Sequence, residues 1–375
     1  MLEDLQTPCL LLDEAAMNRN IKGMADRFKQ IGVPLRPHLK TAKSIDVARI
    51  LQDHGADRWT VSTLKEAEYF SSFGLKDILY AVSIVPQKME RIMQLNRAGA
   101  QMSICLDSTE MATHLSTMTL DGPKPRVYLE VDVDGHRTGV KADQQRAVDV
   151  ARILANASNL EFAGVMAHGG GVSYAANGQQ ELEAAAEQER TCTLAVKDAI
   201  LEAGLPCPQV SIGSTPTALF GTSFEGVSDV RAGVYVFQDV FQANLGMCAM
   251  EDVAATVLTS VISHAPHLNR IVVDAGGLAL SKDRSCASQS NDCGFGLLSD
   301  VDGHVDPLLY VQGVSQEHGY ITTRDGSPLP FELYPLGSQL RVLPNHSCMT
   351  VAAYEGYHMI NGDHEGEWWP RCNRW

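Results

Sequence analysis

Between residues 34 and 237, short runs of apolar and β-branched residues alternate with longer stretches of mixed apolar and polar residues. The short runs fall at 34–38, 59–62, 78–82, 102–106, 127–133, 162–167, 209–212 and 230–237, each the length of a buried strand. The stretches between them, such as 63–73, 87–98 and 179–203, read as helices. The second follows Pro86, which suits a helix start. The third carries Leu182, Ala185 and Glu189 at amphipathic spacing and stops at Gly204-Leu205-Pro206. Strands that alternate with helices imply a parallel sheet, and eight such units in roughly 200 residues is the count and length of a TIM barrel. A doubly wound open sheet is the competing reading, but no GxGxxG follows the first strand.

After about residue 250 the pattern changes. The segments 254–264, 270–274, 308–314 and 339–343 are strand-like, and Gly, Asp and Pro loops rather than long helices separate them. This predicts a second, mainly antiparallel β domain. The N-terminal segment 7–13 is also strand-like and is expected to pair with it. The expected division is a barrel over 14–250 and a β domain made of 1–13 and 251–375. No internal repeat or low-complexity tract interrupts this organisation.

Composition narrows the function. The chain of 375 residues is 45% hydrophobic and 20% charged, as in a globular enzyme. A formal net charge of −15 with no basic patch argues against nucleic acid and anionic membranes as partners. Met1-Leu2-Glu3-Asp4-Leu5 has acids where an export signal needs bases, and no apolar run is long enough to span a bilayer. The nine cysteines are scattered without CxxC spacing, which predicts reduced thiols in a cytoplasmic protein.

In a TIM barrel, chemistry sits at the C-terminal ends of the strands. Those positions here are Lys40, Thr63 or Lys65, Ser83, Asp107, Arg137, His168, Ser214 with Thr215, and Tyr235. Lys40 is a candidate Schiff-base lysine, because an amine held partly out of water attacks an aldehyde more readily; Lys43 reads as its solvated neighbour. Gly213-Ser214-Thr215 reads as an anion cradle that Gly233 and Tyr235 complete, or as an ordinary turn before Pro216. His168, in Ala167-His168-Gly169-Gly170-Gly171, can approach a planar cofactor or simply pack in the core. His346 and Cys348, two positions apart, share a face if their segment is extended, and imidazole with thiolate favours Zn²⁺. A chance pair is the competing reading. Glu317 and His318 are expected either to orient the metal ligands or to cap a turn.

Together these residues make a resemblance. Arg36-Pro37-His38-Leu39-Lys40-Thr41-Ala42-Lys43, Val61-Ser62-Thr63-Leu64-Lys65-Glu66-Ala67-Glu68, Asp132-Val133-Asp134-Gly135-His136-Arg137-Thr138-Gly139-Val140, Gly213-Ser214-Thr215-Pro216-Thr217, Arg231-Ala232-Gly233-Val234-Tyr235-Val236, Val273-Asp274-Ala275-Gly276 and Pro344-Asn345-His346-Ser347-Cys348 occur in the order found in one family. The chain resembles the metal-activated pyridoxal 5'-phosphate enzymes of fold type III, the D-serine dehydratases and D-threonine aldolases that share a barrel with alanine racemase. The resemblance implies that Lys40 holds pyridoxal phosphate covalently and acts on the substrate. It puts His168 on the cofactor ring, Tyr174 at the pyridine nitrogen, and Gly213, Ser214, Thr215, Gly233 and Tyr235 around the phosphate. Arg137 lies near the cofactor hydroxyl or the substrate carboxylate, and His346 and Cys348 bind Zn²⁺, Mn²⁺ or another divalent metal. A small D-amino acid such as D-serine or D-threo-3-hydroxyaspartate is the implied substrate, and a homodimer the implied assembly. The family often has a histidine where this chain has Ala42, so that position either is dispensable or tunes the substrate. His-x-Cys is the dehydratase form of the metal motif, whereas the aldolase branch has an acid in the second place; this favours β-elimination over aldol cleavage or racemisation.

Overall fold

The computed structural model describes residues 2–141 and 144–375. The chain divides into two compact units, one of residues 24–233 with 374–375 and the other of 1–23 with 234–373.

The first unit is a parallel barrel. Among the described residues its eight barrel strands are Leu35–Pro37, Arg58–Val61, Asp77–Ser83, Gln101–Leu106, Arg126–Asp132, Glu161–Ala167, Gln209–Ile212 and Asp229–Ala232, and the two-residue Val140–Lys141 pairs beside the fifth. From Arg58–Val61 onward each pairs in parallel with the next of these strands, and Asp229–Ala232 returns to Leu35–Pro37. A parallel bridge between His38 and Thr60 joins the first strand to the second and nearly closes the ring. The strands read as almost continuous apolar runs because a barrel strand is covered inside and out. Ion pairs fill the end of the barrel where the strands begin. Arg36, 1% exposed, donates to Asp229 Oδ2 at 2.9 Å and Asp77 Oδ1 at 2.8 Å, and Arg126 also reaches Asp77 at 2.8 Å. These bonds leave the opposite end for chemistry. The long helix Gln179–Glu202 lies between the sixth and seventh strands.

The second unit is a closed antiparallel sheet. Among the described residues, Ala255–Ala265, Arg270–Val273, Gly319–Thr323, Val305–Val314, Leu297–Ser299 and Gln339–Leu343 form a ring, which closes because Ala255–Ala265 pairs with both Arg270–Val273 and Gln339–Leu343. Cys9–Asp13 adds antiparallel to Ala255–Ala265, as expected for the N-terminal segment, with Leu11 opposite Thr256. Its other edge takes Gly356–Ile360 in parallel, and Trp368–Pro370 follows. No described helix is long and apolar enough to cross a membrane.

One local expectation fails, and several elements were not expected. The eighth barrel strand ends at Ala232 rather than 237, and Val234–Val236 is a 3₁₀ turn. Gly233 packs too tightly for a side chain, since a Cβ there would lie 2.8 Å from the His38 carbonyl oxygen. The apolar run that follows is a buried turn, which apolarity alone cannot distinguish from a strand. The helix Glu14–Ile31 and the strands Leu297–Ser299, Gly319–Thr323, Gly356–Ile360 and Trp368–Pro370 were not predicted.

Candidate functional site

The first group of candidate residues lies where the barrel strands end. The chain is pinned as it leaves the first strand: His38 N donates to Ala232 O at 2.7 Å and Leu39 N to Thr60 O at 2.8 Å. Lys40 follows at once, half-buried. No described carboxylate lies within ion-pairing distance of its amine. Lys43 differs, and the expectation that it is solvated is wrong: it is 15% exposed, and its Nζ lies 3.1 Å from Oε1 of the buried Glu66. Glu66 is held in place by Ser62 N at 3.0 Å and by Thr63, whose hydroxyl caps the helix Leu64–Ser72. The two lysines of the motif are thereby told apart, one neutralised and one not.

Two imidazoles accompany Lys40. Lys40 N donates to His38 Nδ1 at 3.4 Å. Burial, reinforced by the charges of Lys40 and Arg231 and by His168, holds His38 well below the usual histidine range. His168 Nδ1 donates to Gly213 O at 2.8 Å, which leaves Nε2 as an acceptor. Burial lowers His168 to about 3; the bond to Gly213 opposes this, and Lys40, Arg137 and Arg231 add to it. Both rings are therefore neutral at physiological pH. Tyr174 ends the short helix Gly170–Tyr174. A Cβ on Gly170 would lie 2.7 Å from His168 Nε2 and 3.1 Å from Tyr174 Cε2, so this glycine lets the imidazole and the phenol ring come together. Arg137 is exposed in the loop after the fifth strand and contributes to the positive field at His168.

Gly213, at the end of the seventh strand, has φ +132° and packs against the Arg231 carbonyl, where any Cβ would clash. Its N–H was expected to face a phosphate. Instead it donates to Glu189 Oε1 at 2.8 Å, so Gly213 contributes the turn and not the donor. Ser214, 4% exposed, caps the helix Thr215–Phe220 by accepting from Thr217 N, and Thr215 is equally buried. Gly233 lies beside His38. Tyr235 lies in the 3₁₀ turn of the second unit, fully buried, and burial pushes its phenol above the usual range.

Sequence reasoning missed Glu189 as a site residue. Its carboxylate is completely buried, and burial raises its pKa against hydrogen bonds from Thr217 Oγ1 at 2.5 Å, Gly213 N and Gly169 N. One side chain of the helix Gln179–Glu202 thus ties together the turns that follow the sixth and seventh strands. A signal was present: Glu189 stands at the position where Leu182 and Ala185 predict a core residue, and an acid there needs a reason.

The second group is His346 and Cys348. They do not share an extended segment as expected. His346 is extended, but Ser347–Thr350 is a helical turn, and His346 is its N-cap. What brings the pair together is Asp239, 0% exposed. Its Oδ2 accepts from His346 Nδ1 at 2.9 Å and from Ser347 N at 3.0 Å, while Oδ1 caps its own helix at Gln242 N. Burial alone would lower His346; Cys348 beside it and the bond to Asp239 outweigh that and hold it well above the usual range. A carboxylate behind one ring nitrogen and a thiol beside the ring is how proteins present a histidine to a soft divalent metal. The donor set therefore fits the metal that the motif implies. Glu317 and His318 do not orient this pair: they lie in an exposed turn, and the orienting role falls to Asp239.

Residues 12–240 match the family model for the alanine racemase N-terminal domain, and 254–360 that for a putative serine dehydratase domain. The chain is 41% identical to the D-threo-3-hydroxyaspartate dehydratase of Delftia sp. (strain HT23), over 99% of this chain and 98% of that one. The chain belongs to the alanine racemase-like serine dehydratase family. This family is pyridoxal phosphate-dependent. Other members are the D-serine dehydratase of Dictyostelium discoideum, 31% identical over 97% of this chain and 95% of its own, and a 3-hydroxy-D-aspartate aldolase of Paracoccus denitrificans, 30% identical over 97% and 91%. In structure the chain matches a mutant of D-threo-3-hydroxyaspartate dehydratase in the metal-free form with a TM-score of 0.96, covering 100% of this chain and 99% of that one at 42% identity. An alanine racemase from Corynebacterium glutamicum shares the fold at a TM-score of 0.63 and 20% identity, covering 90% of each chain.

Proposed function

We propose that this chain is a pyridoxal phosphate- and divalent metal-dependent dehydratase of D-β-hydroxy amino acids such as D-threo-3-hydroxyaspartate or D-serine. The end-to-end likeness to a D-threo-3-hydroxyaspartate dehydratase carries this reading, and the likeness to a D-serine dehydratase supports it. On this reading, residues 14–250 hold the cofactor, and 1–13 with 251–375 carry the metal ligands. Lys40 would bond the cofactor aldehyde, with Ser214, Thr215 and Tyr235 at its phosphate and Gly213 and Gly233 shaping the turns. His168 would lie against the ring, Tyr174 at the pyridine nitrogen, and Arg137 at the substrate carboxylate. His346 Nε2 and Cys348 Sγ would hold Zn²⁺ or Mn²⁺. The assembly is a cytoplasmic homodimer.

When bound, pyridoxal phosphate withdraws electrons from the substrate Cα, and the metal polarises the β-hydroxyl as a Lewis acid. The protein's own part is proton handling and orientation. Lys40 Nζ takes the Cα proton. His168, fixed by Gly213 O and neutral, offers a ring face without competing for that proton. Loss of the β-hydroxyl as water leaves an unsaturated amine, which adds water and yields an oxo acid and ammonia.

The aldolase relative keeps a second reading in view, cleavage to glycine and an aldehyde with the same cofactor and metal. The test is a product assay with D-threo-3-hydroxyaspartate, D-serine and D-threonine in turn, each with pyridoxal phosphate and with either Zn²⁺ or a chelator. Ammonia and an oxo acid, lost on chelation, are expected. Glycine and an aldehyde would replace the dehydratase reading with the aldolase one.

A further inference from the structure

A cavity of about 250 Å³ in the second unit has no part in the chemistry above, and none of its lining residues is assigned to metal or cofactor. Its wall includes Arg341, on the strand Gln339–Leu343, which is 6% exposed. The guanidinium Nε is buried and has no hydrogen-bond partner among the described residues, and no described carboxylate forms an ion pair with the side chain. This is unlike the other deeply buried arginines: Arg36 is held by two carboxylates, and Arg231 by Ser211 and the Ala167 carbonyl. An arginine keeps its charge, which Asp13, Asp300 and Asp302 offset from beyond ion-pair distance, but burying its Nε–H without an acceptor costs stability. A negatively charged ligand group in the cavity removes that cost.

The rest of the lining says what else the ligand carries. Asp13, Glu251 and Asp302 line the same cavity. Glu251 and Asp302 are exposed, so they stand at its mouth, while Arg341 stands at its floor. Asp13 is already engaged by Ala16 N and Asn361 Nδ2. Asp300, nearby, is paired with His304 at 2.9 Å. A ligand with only negative charge would have to pass the acids at the mouth, and one with only positive charge would leave the Arg341 Nε without an acceptor. We propose that this cavity is a binding site for a small zwitterion, an α-amino acid whose carboxylate meets Arg341 and whose ammonium group faces Glu251 and Asp302. The volume suits such a molecule: it equals about eight waters at roughly 30 Å³ each. Thr256, Ser299 and His304 also line the cavity.

The test uses the holoenzyme and sarcosine, a zwitterion whose secondary amine forms no neutral Schiff base with the cofactor; the Arg341 variant separates binding in this cavity from non-covalent binding at the catalytic site. Binding is read by calorimetry and by the rise in melting temperature that a ligand of the folded state produces. Sarcosine is expected to bind, and acetate, inorganic phosphate and methylamine to bind more weakly. Arg341→Gln should weaken sarcosine by about tenfold or more, the loss of one charged hydrogen bond, with the cofactor absorbance unchanged. Glu251→Gln with Asp302→Asn, at exposed positions that fold regardless, should weaken sarcosine and strengthen acetate. Equal sarcosine binding in Arg341→Gln would overturn the site, as would acetate or phosphate outbinding sarcosine in the unmodified enzyme. If Arg341→Gln does not fold, a crystal of the unmodified holoenzyme soaked in sarcosine decides: density for the molecule against the guanidinium supports the site, and ordered water alone refutes it. Product formation does not enter any of these readings, so failure here and failure of the dehydratase reading remain distinguishable.

Discussion

Lys40 and Lys43 sit three residues apart, in and just after the turn that follows the first strand, and their neighbours give them opposite uses. Glu66, buried and fixed by Ser62 and Thr63, neutralises Lys43, while Lys40 is set among uncharged imidazoles. Lys40→Ala should abolish the visible absorbance of cofactor bound in Schiff-base linkage; Lys43→Ala should keep it and lose about 1–3 kcal/mol of stability as Glu66 loses its cation. An absorbance spectrum and a urea titration of each variant check this, and a Lys40→Ala protein that still absorbs would remove the assignment. Asp239 is the corresponding residue at the metal pair. Asp239→Asn keeps an acceptor for either His346 or Ser347 but not the charge that orients the imidazole. Metal affinity should fall about 10–100-fold, with cofactor absorbance retained, as is usual when the carboxylate behind a ligating histidine is lost. Metal content after dialysis against graded chelator measures it.

At the scale of elements, the helix Gln179–Glu202 does more than cover the barrel. Glu189 projects from it to accept from two turns at once, and a glutamine there would turn an NH₂ toward a donor. Glu189→Gln should loosen both turns and cost about 1–3 kcal/mol, with cofactor affinity falling about tenfold or more. A cofactor titration read alongside denaturation separates the two effects: lost stability with unchanged affinity would make Glu189 structural only. The legibility of the sequence differs by element for physical reasons. All eight barrel strands could be located because parallel strands buried on both faces are unbroken apolar runs such as 127–133. Leu297–Ser299 and Trp368–Pro370 are three residues each and have no period to detect. Lys40, His346 and Cys348 could be picked out because their side chains suit few other purposes. Asp239 could not, since an acid before Val240-Phe241 reads as a helix cap, and it is one; only the fold reveals that its second oxygen holds His346.

At the scale of the whole molecule, the neutral histidines link the site to the pH range in which the fold survives. His168 titrates near 3 when folded, against about 6.5 in an unfolded chain, and His38 is shifted in the same direction. Between those values the unfolded state binds protons that the folded state refuses, so stability rises with pH across this window and is lost as pH falls below about 6.5. Each such imidazole contributes a slope of up to ~1.4 kcal/mol per pH unit there. Asp77, held low against the desolvating effect of burial by Arg36 and Arg126, has the same sign, but its stabilisation is lost only as pH falls below the ordinary carboxylate value of 3.8. His364, raised by its bond to Glu14, has the opposite sign: its contribution is present below the usual histidine value and fades as pH rises, and its exposure keeps that small. In the interval from pH 6.5 down to about 4, His38 and His168 act together with His358, which burial also lowers, and against the buried Glu189, whose raised carboxyl has the opposite sign. Urea midpoints of the cofactor-free protein at pH 7, 6 and 5 should fall steeply. The double variant His38→Gln with His168→Gln, which can still donate to Gly213 O, should flatten the fall by up to ~2–3 kcal/mol per pH unit. An unchanged slope would mean that the two rings are protonated in the folded protein, and the uncharged setting of Lys40 would go with them.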